Sequence, residues 1–292
     1  MPTNVAIIVP VHDAAQWIDV CMEQLLAQRR LPDEIIFVDD ASTDDTVQRC
    51  FFWQEKHPSR VRIIQLCANS GPGIARNAGI AACRSAFLAF MDVDDRLSPH
   101  FLSRLYDRIT HDSLDMVVCG IDVIAPTSSK KLLPADVCDN ASLLRQKILL
   151  YAPVNKIYRT RFLREELIRF SRCRIGEDMA FAVKLCSRSP RMGVVPEALY
   201  QYVRRPGSLS GALRLRHEIF AALDDLHLFL RHAACPPRLF SVYRRLCLLH
   251  GLYYPLRLLL RHRRSVSLVQ LARELHFYLA TTLRMIGESY ER

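Results

Sequence analysis

The feature that most narrows the fold is an alternation of two periodicities over the first 124 residues. Val5-Ala-Ile-Ile-Val9, Ile35-Ile-Phe-Val38, Val61-Arg-Ile-Ile64 and Ala86-Phe-Leu-Ala-Phe90 are short apolar runs without the polar alternation of a half-solvated strand. Such runs suit strands covered on both faces, as in a parallel sheet. Between the first two, Ile18, Cys21, Leu25 and Leu26 recur at helical spacing. Thr43-Asp44 precedes a second helix, and Ser98-Pro99 opens a third, with serine as N-cap and proline at the first helical position. This order of elements specifies an α/β fold, a mostly parallel central sheet flanked by helices.

The pattern then changes. Ile124 to Asn140 breaks into Pro, Ser, Lys and Asp and reads as a loop or variable insertion. Helical signals return at Ser142–Leu150, Arg161–Leu167 and Glu177–Cys186, and Met192–Val203 is strand-like. A turn-rich segment, Arg204-Arg-Pro-Gly-Ser-Leu-Ser-Gly211, leads into a Leu- and Arg-rich remainder that reads helical, with Pro236-Pro237 as its first breaker. Two units follow from this, an α/β domain over 1–212 and a basic, mainly helical extension over 213–292.

Charge is unevenly placed. Of a net +10, residues 211–292 hold thirteen arginines, no lysine and six acids, a local +7. Helical stretches such as Tyr243–Leu249 and Leu256–Arg264 are basic and apolar at once. One reading packs their apolar face on the first domain or on a second copy, as a homo-oligomer. Another lays them on an anionic membrane surface. Nucleic acid is not expected as a partner, because neither helix-turn-helix spacing nor a basic-aromatic RNA motif is present.

Several classes are excluded. Half the residues are hydrophobic and 24% are charged, which is not the composition of a disordered chain. No apolar run approaches the roughly 18 residues of a membrane span. Val5–Val11 is too short for a secretory leader and has no basic start, so a cytoplasmic protein is expected, with the inner membrane face as a place of contact. The ten cysteines are scattered without a C-x-x-C pair and read as packing residues.

Ligands of parallel sheets bind beyond the carboxyl ends of the strands. Here the first run ends in Pro10-Val11-His12-Asp13, the second in Asp39-Asp40 and the fourth in Asp92-Val93-Asp94-Asp95. Three carboxylates within four residues repel one another unless a cation or a proton neutralises them. An oxygen-only cluster of this kind selects Mg²⁺ or Mn²⁺ shared with substrate phosphates. An EF-hand loop would need glycine where Leu97 stands, and Gly71-Pro72-Gly73 lacks the third glycine of a dinucleotide loop, since Arg76 takes that place. A nucleotidyltransferase would need a Gly- and Lys-rich loop near the first strand, which is missing. A non-catalytic binding module built on the basic extension is the alternative from another class.

Five segments occur in order: Ile7–Asp13, Val38–Asp44, Asn69–Gly79, Phe90–Asp95 and Gly176-Glu-Asp178. Together they resemble the family 2 glycosyltransferases, inverting enzymes of the GT-A fold, over residues 4–211. The resemblance implies a nucleotide diphosphate sugar donor, with a lean to UDP, and a glycan or lipid-linked hydroxyl acceptor in surface polysaccharide or lipopolysaccharide assembly. It implies that Pro10 and His12 border the base, His12 standing where the family often has a tyrosine, and that Asp40 accepts a hydrogen bond from the base. Arg76 resembles a nucleotide contact, with pairing to the carboxylate cluster as its other reading. Asp94 resembles the metal ligand and Asp92 its partner toward the ribose or the metal's water. Asp178 resembles the general base, with Glu177 as the alternative, and Arg205 and Ser208 resemble diphosphate contacts.

Overall fold

In the computed structural model, the structure describes residues 4–134, 151–204, 218–232, 237–253 and 268–288. The four apolar runs form β1 (Val5–Val11), β2 (Glu34–Asp39), β3 (Val61–Gln65) and β4 (Phe87–Phe90). β1, β2 and β4 are almost wholly buried, as runs without polar alternation require. Helices α1 (Ala15–Leu26), α2 (Thr46–Lys56) and α3 (Pro72–Ala82) connect them in turn. In α1 the buried positions are Ile18, Cys21, Met22 and Leu25, one face at helical spacing.

One helix is not anticipated by the sequence pattern, and one reading needs correction. The glycine-rich segment after β3 is itself a helix, α3, which the low helical propensity of its glycines hides. Ser98-Pro99 does not open the next helix; α4 spans Phe101–His111 with His100 before it. The Ser98 N–H still bonds Leu199 O at 2.9 Å, so the chain leaves the short β5 (Arg96–Leu97) and needs two more residues to turn.

The remaining strands are β6 (Met116–Ala125), β7 (Ser128–Leu132), β8 (Lys156–Arg159) and β9 (Met192–Val203). The sheet runs β3-β2-β1-β4-β8-β6-β9-β5, with β7 paired to β6. It is parallel through β3-β2-β1-β4, whereas β8 runs antiparallel to both β4 and β6. β9 lies parallel to β6 and antiparallel to β5, so the expected mostly parallel sheet is true of one half and the other half is mixed. The start of the presumed loop at Ile124–Asn140 is a hairpin: β6 continues to Ala125 and β7 returns from Ser128. Its polar, exposed Ser-Ser-Lys-Lys strand pairs on one side only, which is why its sequence looks like a loop. The helical signal at Ser142–Leu150 lies outside the described residues.

Further helices are α5 (Thr160–Glu165), α6 (Glu177–Ser187), α7 (Ile219–His232), α8 (Pro237–Leu248) and α9 (Leu268–Glu288), with a π-helical turn at Leu249–Tyr253. The main core lies between the sheet and its covering helices. A second apolar cluster joins Cys173, Met179, Ala180 and Val183 to Ile219, Leu223, Leu226, Tyr243 and Tyr278. It therefore contains residues from both sides of position 212, and the C-terminal helices share a core with α6. Of the eight cysteines described, all but Cys67 are buried and none is disulfide-bonded.

Candidate active site

β2, β1 and β4 are neighbours and run in one direction, so the polar residues that follow them meet at one rim. Pro10 pairs with Val38 near the end of β1, and His12 and Asp13 follow just beyond. Asp13 takes a left-handed turn at φ 46° and accepts the Thr43 N–H at 2.7 Å, which holds its carboxyl below the usual range. His12 Nε2 lies 2.7 Å from Asn69 Nδ2, and Asn69 Oδ1 accepts from Arg174 at 2.6 Å. His12 thus stands half-exposed at the mouth of the rim, with its ring steadied from a neighbouring loop.

Asp40 is buried, and its two oxygens accept the N–H groups of Ser70 and Gly71, each at 2.7 Å. Gly71, at φ 91°, precedes α3 in a conformation that side chains other than glycine rarely adopt. Asp40 therefore fixes the loop that starts α3, and each oxygen keeps a lone pair. Asp39 accepts from the Ser42 N–H and closes its own strand end.

One helical turn into α3, Arg76 is buried between two acids. Its Nη2 donates to Asp92 Oδ1 at 2.8 Å and its Nη1 to Asp178 Oδ1 at 3.0 Å. The guanidinium also lies 5.3 Å from the ring centroid of Phe170. Of the two roles weighed for Arg76, this geometry draws the pairing with the carboxylate cluster.

After β4 the chain turns tightly, with the Asp95 N–H bonded to Asp92 O at 3.1 Å. Asp92 and Asp94 are half-buried at the rim, while Asp95 points inward and accepts from Tyr200 Oη at 2.7 Å and the Val203 N–H at 2.9 Å. Burial, with Asp92 beside it, pushes the Asp95 carboxyl up to about 8. This third acid ties the turn to β9 and was not among the predicted site residues. Its place in Asp-x-Asp-Asp and the aromatic strand containing Tyr200 were the available signals.

The acids of Gly176-Glu-Asp open α6. Gly176 is left-handed at φ 85°, and a Cβ there would meet Ile219 Cδ1 at 2.2 Å. Burial first, and then the neighbouring Asp178, push the Glu177 carboxyl up to about 8. Burial raises Asp178 to about 6 as well, with Arg76 opposing that rise. Lys156, which is buried and bonded to Asn155 Oδ1 at 2.7 Å, adds a second opposing charge. No local pattern marks Lys156 in the sequence. Arg205 and Ser208 lie outside the described residues.

Two carboxylates at an open rim, Asp92 and Asp94, fit an ion that takes one or two carboxylates and completes its shell with water and phosphate oxygens. Among the described residues no group of three or more potential ligands is gathered in advance. The donor set is all oxygen, as Mg²⁺ and Mn²⁺ prefer.

Fold and acidic rim together define a GT-A-like architecture. Residues 6–170, more than half of the chain, match the family model described as glycosyl transferase family 2, and the chain belongs to that family. It is similar to the succinoglycan biosynthesis protein ExoO of Rhizobium meliloti, 34% identical over 247 residues that cover 79% of this chain and 69% of the relative. An uncharacterized glycosyltransferase, EpsJ of Bacillus subtilis, is 28% identical over 70% of this chain and spans further, since the match covers 62% of its length. Among solved structures, Staphylococcus aureus TarS 1–349 in complex with UDP-GlcNAc superposes with a TM-score of 0.73 at 21% identity, over 99% of this chain and 90% of that one. That likeness bears on the fold.

Proposed function

We propose that the protein is an inverting transferase that moves a sugar from a UDP-linked donor to a hydroxyl of a glycan or lipid-linked acceptor in surface polysaccharide assembly. The observation that carries this reading is the Arg76 bridge, which places the acid after β4 and the acid of α6 on one guanidinium. The acids that would face a sugar diphosphate and the carboxylate that would face an acceptor are thereby a side chain apart.

In this reading the donor lies along the rim, its base beside Pro10, His12 and Asp40 and its diphosphate toward Asp92 and Asp94. Arg205 and Ser208, on the segment after β9, are proposed to reach the diphosphate. Asp92 and Asp94 would hold Mn²⁺ or Mg²⁺, which supplies charge neutralisation to the departing diphosphate. Asp178 removes the proton from the acceptor hydroxyl as that oxygen attacks the anomeric carbon. The new carbon–oxygen bond forms on the face opposite the breaking bond to the diphosphate, so configuration inverts and UDP leaves.

The electrostatics favour Asp178 over Glu177 as base. Burial and the neighbouring Asp178 push the Glu177 carboxyl up toward its protonated form, whereas the Arg76 guanidinium, bonded to Asp178 at 3.0 Å, and Lys156 favour the charged form of Asp178. The test is calorimetric titration with UDP, GDP and CDP, with and without Mn²⁺, on the protein and on Asp94→Ala. Metal-dependent binding of UDP that the substitution removes is the expected result. Equal binding to both proteins refutes the metal assignment, and no binding of any nucleotide refutes the donor.

A lipid-linked acceptor would bring the enzyme to a membrane. Among the described residues no helix is long and apolar enough to cross one. Leu228 on α7 and Phe277, Leu279 and Leu283 on α9 are exposed apolar side chains within the arginine-rich extension, which supports contact with an anionic surface. Flotation with phosphatidylglycerol vesicles tests that contact. If the protein stays at the bottom of the gradient and scatters light as a dimer or larger species, the same face joins copies instead.

A further inference from the structure

The second core cluster crosses the junction between the α/β part and the C-terminal helices directly beneath the Glu-Asp pair. Ile219 of α7 lies against the left-handed Gly176, and Ala222 Cβ would be 3.2 Å from a Cβ placed there. Helix α6 continues into the same contact through Met179, Ala180 and Val183. The carboxylates that the proposed reaction needs thus begin a helix seated on a helix from the extension.

A polar clamp reinforces the seat. Lys184 of α6 is buried, and its ammonium bonds to Asp225 of α7 and to Arg169 O. The same Asp225 oxygen accepts from Ser171 Oγ, so a single carboxylate holds α6 and the strand of chain at 169–171 together. That segment reaches the site. Phe170 stacks on Phe181 of α6 at 4.0 Å and lies beneath the Arg76 guanidinium, and its backbone N–H and C=O are both bonded by Asn77 of α3 at 2.9 Å. Glu177 Cγ, Phe170 Cβ and Ser171 O all lie within 3.2 Å of a Cβ placed on Gly73, so these groups pack round one point. From Asp225 to Arg76 the path runs by a hydrogen bond to Ser171, along one peptide bond to Phe170, and by a ring contact to the guanidinium.

We infer that Asp225, in the C-terminal extension, is a positioning residue for Asp178, and that the extension is an integral part of the catalytic centre. This rests on the proposed role of Asp178. A positioned carboxylate matters because a misplacement of about 1 Å at a reacting group can cost about 10²-fold in rate. The clamp ends on α3 at Asn77 and Arg76; none of its bonds runs to β1 or β2, and Asp40, which would face the base, is held by the Ser70 and Gly71 N–H groups instead. Its loss should therefore separate turnover from donor binding.

Asp225→Ala alone leaves the Lys184 ammonium buried without its acid, which unfolding would relieve. Lys184→Met combined with Asp225→Ala removes both charges while keeping the apolar stem, a change that folded proteins tolerate well. In the full chain, the double variant is expected to melt cooperatively and to bind UDP with Mn²⁺ within twofold of the parent. Its kcat should fall tenfold or more at an unchanged donor KM, and Asp225→Glu should recover part of it. Hydrogen exchange gives a readout independent of the reaction: amides 179–183 should exchange at least tenfold faster in the double variant, with those of β1 and β2 unchanged. Unaltered exchange at 179–183, or a loss of UDP affinity equal to the loss in kcat, overturns the inference. Faster exchange in the double variant, together with a parent protein that transfers no sugar, overturns the transferase reading and leaves the clamp standing.

Discussion

The two sides of the acidic rim are built differently. On the β1-β2-β4 side, each functional residue follows a strand directly, so its place is set by the few residues before it. Asp40 comes one position after β2 and Asp92 two after β4. On the other side, Asp178 sits on a helix whose place depends on α3, on residues 169–171 and on α7, which lie roughly a hundred residues before it to forty or more after it. A seat made of strand ends varies little, whereas one made of packed helices shifts whenever the packing is altered.

If the division is sound, substitutions on the two sides should fail in different ways. Asp178→Asn carries the largest expected effect, a loss of about 10²–10⁴ in kcat. Calorimetry should meanwhile find UDP affinity within about twofold, on the same principle that an interaction made only in the transition state leaves ground-state binding alone. Next, Asp94→Ala should weaken Mn²⁺-dependent UDP binding by about 10–100-fold, in line with losses at metal sites. If each substitution impairs both quantities equally, the two-sided account fails.

Gly176→Ala sharpens the packed side. A left-handed φ and a 2.2 Å approach to Ile219 should cost about 1–3 kcal/mol of stability, read as a lower melting temperature. A pH profile tests the base itself. If Asp178 is the base it acts when deprotonated, and burial raises its carboxyl to about 6, so kcat/KM should fall as pH drops through that value and level off above it. Asp178→Asn should abolish that limb. The smallest effect is expected on the donor side, where His12→Tyr should tighten UDP binding by a few-fold through a larger stacking face, worth about 0.5–1.5 kcal/mol.

This contrast also governs what the sequence could tell. The strands β1, β2 and β4 announce themselves because burial on both faces demands unbroken apolar runs, whereas β3, at the sheet's edge, is only half-buried and carries Arg62 within its run. The acids at their ends are legible for the same reason, since a run must stop where the rim begins. Helix α3 is obscured by glycines whose purpose is tertiary: Gly79 leaves room for Ile8, 2.3 Å from where a Cβ would be. β8 is only four residues long, and its Lys156 looks like an ordinary surface lysine until the fold buries it. The clamp at Asp225 has no local signature at all, because an acid on a helix is unremarkable until a distant Lys184 is brought beneath it.

Arg76 has a consequence for how this site can change over generations. One guanidinium serves two acids from different parts of the chain, so removing either hands the whole positive charge to the survivor. Asp92 and Asp178 are therefore epistatic: the effect of replacing one depends on whether the other is present, and their double-mutant cycle will not close additively. Exchange of either acid is therefore expected to be tolerated better together with a change at Arg76 than alone.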